Sequence, residues 1–262
     1  MQPVKLKYLV LIGLALQLSF LSTGITHAQN DPALADTAFL QSSVQHALAT
    51  YEEAVGVRTH LYNGTEYVDY KKPHLEGDQF FTSKAVIRGN IFYDGAWYTQ
   101  VPLLYDVVTD EVILPHNSSG LMMKLINGKI DTFQLHGHTF VHHKADSTGQ
   151  TILQPGFYDL MYSQDTQFLV KRKKEMQDRA TQNGMEGEFR MVDKLYIRKD
   201  GQFHRVHSKR SVYKVFKDKK RQLKKYASAQ RFKFRKQREE AILALTRYYD
   251  NLSAEEAQRS DN

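Results

Sequence analysis

Four Asn-Gly or Asp-Gly dipeptides divide the middle of the chain and constrain its fold more than any other feature. They are Asn63-Gly64, Asp94-Gly95, Asn127-Gly128 and Asp200-Gly201. β-Branched and aromatic residues flank each one, as in NIFY-DG-AWYTQV. Glycine, asparagine and aspartate tolerate the positive φ of tight hairpin turns, and such flanks suit half-buried strands. The pattern therefore predicts an antiparallel meander. Further strands are predicted at residues 101–107, 111–114, 156–161 and 166–171.

Helices are predicted on both sides of this sheet. Before it, apolar residues recur at helical spacing between Leu40 and Val55, with Asp36 as the N-cap. After it come two apolar stripes, one with Val212, Val215, Phe216, Leu223 and Tyr226, the other with Ala241, Ile242, Leu245, Tyr248, Tyr249 and Leu252. The predicted class is α+β: a mainly antiparallel β-sheet, built as a hairpin meander, with one N-terminal helix and two C-terminal helices.

The beginning of the chain resembles a secretory signal peptide. Lys5 and Lys7 precede an apolar stretch over residues 8–21, and Ala28 offers a small residue at a cleavage site. The stretch is shorter than the roughly 20 apolar residues of a spanning helix, although an uncleaved anchor remains the alternative. We predict a signal peptide over residues 1–28, a single domain over residues 29–252 and a frayed polar tail over residues 253–262. No later apolar stretch suggests a transmembrane segment after signal removal.

The chain contains no cysteine. Disulfides, thiolate zinc sites and cysteine nucleophiles are therefore excluded, as is lipid attachment at a cysteine behind the signal peptide. Export without disulfides favours a bacterial periplasm, because small secreted domains of eukaryotes commonly depend on disulfides. The predicted location is periplasmic or secreted, and the protein is not a lipoprotein.

Charge is distributed unevenly along the chain. Residues 30–170 contain 8 Lys and Arg against 16 Asp and Glu, whereas residues 171–251 contain 25 against 10. Two basic runs stand out, at residues 171–174 and 217–225. The candidate anion-binding residues are Lys217, Lys219, Lys220, Arg221, Lys224 and Lys225. Their partner would be a lipid headgroup, lipopolysaccharide or an acidic protein. The alternative is a solvated helix face, and no motif indicates specific nucleic-acid binding.

Four histidines lie within LHGHTFVHH, residues 135–143. If residues 133–143 form one strand, His136, His138 and His142 share a face, because side chains alternate along a strand. Zinc and copper both accept imidazole nitrogen, so these three residues form a candidate metal site that needs a further ligand from elsewhere. The alternative is a half-exposed strand that carries imidazoles on its polar face.

No catalytic motif is present. The chain lacks a Gly-x-Ser-x-Gly elbow, a His-Glu-x-x-His pair and a phosphate-binding glycine loop, and no cofactor is predicted. Asp106, Asp110 and Glu111 lie close together and could form the carboxylate pair of a hydrolase acting on an envelope polymer. Acids beside turns more often serve the turn itself.

Several blocks resemble a family of exported proteins of similar size found in Bacteroidota. The blocks are LYNGTEYVDY, FYDGAWYTQVPLLYD, GHTFV, GFYDLMY, KLYIRKDG and LTRYYDNL, and they extend from about Leu61 to Leu252. Of the clustered histidines, only His138 falls within a shared block. The resemblance implies an exported, envelope-associated protein and carries no activity with it. We therefore predict a non-catalytic envelope binding protein whose basic C-terminal region contacts an anionic partner.

Overall fold

The computed structural model describes residues 43–44, 46, 59–116, 119–145, 152–182 and 184–260. The chain divides into two compact units, Met1–Val57 and Arg58–Asn262, and the elements below belong to the second. The predicted signal peptide lies outside the described residues. So does the predicted N-terminal helix, apart from residues 43, 44 and 46.

Fourteen strands are bounded in the described part of the chain. They are β1 Thr65–Glu66, β2 Leu75–Glu76, β3 Ile87–Tyr93, β4 Ala96–Asp106, β5 Glu111–Pro115, β6 Met122–Lys124, β7 Ile130–Leu135, β8 His138–His143, β9 Gly156–Ser163, β10 Gln167–Lys171, β11 Lys174–Thr181, β12 Gly184–Met191, β13 Lys194–Lys199 and β14 Gln202–Val206. Eleven form one sheet in the order β1-β6-β5-β4-β3-β7-β8-β9-β10-β13-β14, and β11-β12-β2 form a smaller sheet. Neighbours in the large sheet pair antiparallel, whereas β12 pairs parallel with β2.

Two of the four predicted hairpin turns are confirmed. Asp94-Gly95 joins β3 to β4, and Asp200-Gly201 joins β13 to β14, with positive φ at all four residues. The other two predictions are wrong. Asn63-Gly64 follows a 3-10 helix and leads into β1, which pairs with β6. Asn127-Gly128 lies in a 3-10 turn between β6 and β7, which are not neighbours in the sheet.

The fold-class prediction is wrong in its helices. The α-helices bounded in the described residues are α1 Lys209–Val215, α2 Lys220–Ala229 and α3 Arg238–Ser260, so three follow the sheet instead of two. The first predicted stripe is divided between α1 and α2, because the chain leaves helical geometry between Phe216 and Lys219. The second stripe lies on α3, which continues to Ser260 through most of the segment predicted as a tail.

The sheet buries both of its faces along part of its length. An aromatic cluster including Tyr105, Phe133, Phe140 and Phe157 covers one region, with Phe133 and Phe140 stacked at 4.7 Å between ring centroids. Further along, one face of β10, β13 and β14 packs against the three helices. The residues of this second cluster include Phe168, Val170, Ile197, Val206, Phe216, Leu223, Ile242 and Leu245. The helices are therefore held on the sheet by apolar burial, which leaves their polar faces outward.

Candidate functional site

Two short helices, α1 and α2, frame a strongly cationic surface. The Ser208 hydroxyl caps α1 by accepting a hydrogen bond from the Ser211 amide at 3.3 Å, and the Ser211 hydroxyl accepts one from the Ser208 amide at 3.0 Å. After α1, Phe216 stacks on Tyr249 of α3 with 4.2 Å between ring centroids. This contact and the apolar residues Leu223 and Ala227 of α2 fix the orientation of both helices.

A groove of about 600 Å³ lies between α1 and α2. Its lining consists of Lys209, Arg210, Tyr213, Lys214, Lys217, Lys220 and Lys224. Six of these seven residues are cationic and none is acidic. Within the part of the chain that the structure describes, none of the six forms an ion pair with a carboxylate. Lys209 lies over the Phe234 ring at 5.8 Å, which restrains one edge of the groove.

The structure divides the six predicted anion-binding residues into three groups. Lys217, Lys220 and Lys224 line the groove. Arg221 and Lys225 are exposed on α2 outside its lining. Lys219 is buried, donates to Glu256 of α3 and lies over the Tyr249 ring at 6.0 Å.

Sequence reasoning missed three lining residues, Lys209, Arg210 and Lys214, because they precede the dense run. The signal was present, since Arg210 and Lys214 are four residues apart and share a helix face. Tyr213, on the same helix, is almost fully buried, and burial raises the pKa of its hydroxyl. The groove therefore has an aromatic wall that stays neutral beside the cations.

The four histidines within residues 135–143 do not lie on one continuous strand. His136 and Gly137 have φ of 52° and 77° and make a two-residue turn between β7 and β8. The condition that residues 133–143 form one strand, on which the shared face of the three histidines depended, is not met, because Gly137 readily adopts the positive φ of a hairpin turn. His136 is therefore separated from the strand that carries His138 and His142.

The remaining histidines are engaged in packing. His138 Nδ1 lies 2.8 Å from Asp159 Oδ2, and the His142 ring packs on Phe157 with 4.8 Å between centroids. Burial lowers the pKa of His142, and burial together with the neighbouring His138 lowers that of His136. Among the residues that the structure describes, no three His, Cys, Asp or Glu side chains are placed to hold one metal ion.

The carboxylates considered for a hydrolase are bonded within the fold. Asp106 is fully buried, accepts from the Tyr67 and Tyr70 hydroxyls at 2.9 and 2.8 Å, and accepts from the amides of the following turn. Asp110 accepts from Lys171 and from the Tyr105 hydroxyl, both at 2.5 Å. Glu111 forms an ion pair with Lys124 at 2.9 Å. These bonds hold turns and strands together.

A buried charge cluster surrounds Arg172. Its guanidinium donates to Asp159 at 2.6 Å, to Glu239 of α3 at 2.7 Å and to Asp193 at 3.0 Å. Burial raises the pKa of Asp159, an effect that Arg172 and His138 oppose. The cluster ties β9 and β10 to the start of α3.

Comparison with known proteins finds no matching family model, no matching curated protein and no matching solved structure. Among the helices that the structure describes, none combines the length and the apolar character needed to cross a membrane.

Proposed function

We propose that this protein is an exported, non-catalytic binding protein of the cell envelope, located in the periplasm or secreted. Its ligand would be a phosphate-bearing envelope component, such as a lipid headgroup or the phosphates of lipopolysaccharide. The exported location depends on the predicted signal peptide and on the resemblance to exported Bacteroidota proteins. The binding role depends on one observation: six cations line a single groove and no acidic residue lines it.

The dimensions and chemistry of the groove support a small anionic group as the ligand. Ligand pockets commonly enclose about 300–1,000 Å³, and the groove falls within that range. Five of its six cations are lysines, whose compact ammonium groups bind phosphate oxygens as point charges. Tyr213 supplies an apolar surface beside the cations, as an amphipathic headgroup would require.

The test is sedimentation with vesicles of phosphatidylglycerol and phosphatidylcholine, compared with vesicles of phosphatidylcholine alone. We expect binding to the anionic vesicles alone, and loss of that binding at 1 M salt, where charges are screened within about 3 Å. Binding that is equal for the two vesicle types, or absent from both, would contradict the proposal.

Two double variants on α2 separate the groove from a diffuse cationic surface. Lys220→Gln with Lys224→Gln removes two lining charges, and Arg221→Gln with Lys225→Gln removes two exposed charges outside the lining. At roughly 1 kcal/mol per cation near an anionic membrane, the first variant should weaken binding by about 30-fold. The second should weaken it clearly less. Equal losses would mean that net charge, and not the groove, attracts the vesicles.

A further inference from the structure

The hairpin of β11 and β12, here called the arm, is more exposed than any other strand pair in the large or small sheet. Six of the eight β12 residues are exposed, all except Gly187 and Phe189, and so are the middle six residues of β11. Lys174 fixes the base of the arm by donating to the Asp78 and Phe80 carbonyls at 2.8 and 2.6 Å. Beyond the base, β12 pairs with only two residues of β2.

One face of the arm is mainly apolar and the other is charged. Cross-strand pairs Met176–Phe189 and Ala180–Met185 lie on one face, and Glu175–Arg190 and Arg179–Glu186 lie on the other. The mainly apolar face also carries Lys174 at its base and Asp178, whose carboxylate lies 3.5 Å from Lys72 Nζ and 3.4 Å from His74 Nε2. Met176, Met185 and Met191 expose 43%, 50% and 51% of their surface. Exposed methionines are typical of surfaces that bind another apolar surface.

The outer edge of β11 has no strand beside it among the described residues, because the small sheet has the order β11-β12-β2. An exposed edge of eight residues offers its backbone amides and carbonyls to another strand. We propose that β11 pairs antiparallel with β11 of a second copy of this chain, so that the two small sheets join into one sheet of six strands.

The charge pattern of β11 is complementary to itself. Opposing residues of an antiparallel pair point to the same face, so a two-fold pairing must place one residue opposite its own copy. With Gln177 at that position, seven residues of each strand are paired. Glu175 of each copy then lies opposite Arg179 of the other copy, so the favourable charge pair forms twice. With Asp178 opposite its own copy, two aspartates would face each other. With Met176 opposite its own copy, only five residues of each strand would be paired. The register centred on Gln177 is therefore favoured.

This register also brings apolar groups together. Met176 lies opposite the partner's Asp178, and Met176 and its copy become diagonal neighbours on the same face, within reach of long side chains. Because β2 pairs with only two residues of β12, most of the arm is a two-stranded hairpin, which alone is marginally stable in water. Dimerisation would thus order the arm without involving the groove between α1 and α2.

The experiment exchanges charges while keeping each cross-strand pair of the arm intact. Glu175→Arg with Arg190→Glu leaves two arginines opposed in the dimer, and Arg179→Glu with Glu186→Arg leaves two glutamates opposed. Analytical ultracentrifugation of the purified wild-type protein should show a concentration-dependent dimer. Each double variant should weaken dimerisation by roughly tenfold or more.

Two experiments that should restore dimerisation complete the test. The protein with all four substitutions should dimerise like the wild type, and an equimolar mixture of the two double variants should form a heterodimer. Unchanged thermal unfolding would show that each variant remains folded. A wild-type protein that stays monomeric at millimolar concentration would overturn the proposal, as would double variants that dimerise as tightly as the wild type.

Discussion

The two basic runs of this chain, residues 171–174 and 217–225, look alike in sequence but differ in how many of their cations form ion pairs. All four cations of residues 171–174 form ion pairs, with Asp110, Asp159, Glu175 and Asp78 as partners at 2.5, 2.6, 3.2 and 3.2 Å. Of the six cations in residues 217–225, only Lys219 forms one with a described residue. Lys171, Arg172 and Lys174 are therefore part of the internal structure, and Lys173 is paired at the surface. The second run supplies free positive charge.

The difference arises from the elements that carry the two runs. Lys171 ends β10, which lies between β9 and β13, so the chain carries these cations into the acidic body. The approach is so close that a Cβ on Gly156 would lie 2.0 Å from Asp110 Oδ2 and 2.6 Å from Lys171 Nζ. α2 instead buries Leu223 and Ala227 and turns its cations outward. A dense run of cations in a sequence therefore does not identify a free cationic surface until the strand or helix that carries it is known.

Arg172→Met, which removes the guanidinium of the first run, should have the largest effect. Methionine fills much of the space, but Asp159, whose side chain is 1% exposed, loses its main counter-charge. Removing one partner of a buried pair costs about 3–5 kcal/mol, and we expect a loss of that size in the free energy of unfolding. Chemical denaturation measures it.

The matched control is Arg179→Met in β11. Arg179 also bonds a carboxylate, Glu186, at 2.9 Å, but the two side chains are 76% and 47% exposed. Exposed pairs contribute about 0–1 kcal/mol, so in protein dilute enough to be monomeric this variant should be nearly as stable as the wild type. Similar losses for Arg172→Met and Arg179→Met would contradict the distinction between internal and surface cations.

The hairpin predictions show which turns can be predicted from local sequence. Asp94-Gly95 and Asp200-Gly201 were identified because their turns depend only on local backbone conformation. Asn63 instead accepts a hydrogen bond from Tyr93, and a Cβ on Gly64 would lie 1.9 Å from the Lys124 carbonyl oxygen. Those roles are set by distant strands. His136-Gly137 was missed because histidine rarely marks this turn.

The groove was predictable in part for a related reason. The spacing of Val212, Phe216, Leu223 and Tyr226 continues across the break between α1 and α2, so periodicity could not reveal a third helix. The same spacing places Lys219 within the apolar stripe, which was the available signal for its burial. Which lysines line a groove depends on the angle between two helices, and no local pattern contains that angle.

Within the second run, Lys219 and Lys220 should respond differently to truncation. Lys219→Ala removes a buried stem that lies over Tyr249 and loses the bond to Glu256, so we expect the protein to be destabilised by about 1–2 kcal/mol. Lys220→Ala truncates an exposed side chain and should change the free energy of unfolding by less than about 0.5 kcal/mol. Thermal and chemical unfolding of both variants measure the contrast. Equal effects would show that Lys219 is as peripheral as its neighbour.

The smallest effect concerns Asp218, the one acid within the second run. It accepts from Lys199 at 2.9 Å and from the Tyr249 hydroxyl at 2.8 Å, not from the lysines of the groove. Burial alone would raise the pKa of Asp218, but these hydrogen bonds outweigh it and lower the pKa. A carboxyl with a lowered pKa stabilises the folded state above its unfolded pKa of about 3.9 and loses that contribution as pH falls through the folded value.

Asp218→Asn should therefore be slightly less stable than the wild type at neutral pH, and the difference should close as the pH falls below about 4. Unfolding free energies of both proteins between neutral and acidic pH measure this. Binding of the variant to anionic vesicles should equal that of the wild type, because Lys199 already neutralises Asp218. If the stability difference instead widened in acid, or if vesicle binding rose several-fold, Asp218 would be acting on the lysines of its own run. The lysines of the groove would then not be free of ion pairing, and the distinction between the two basic runs would be wrong.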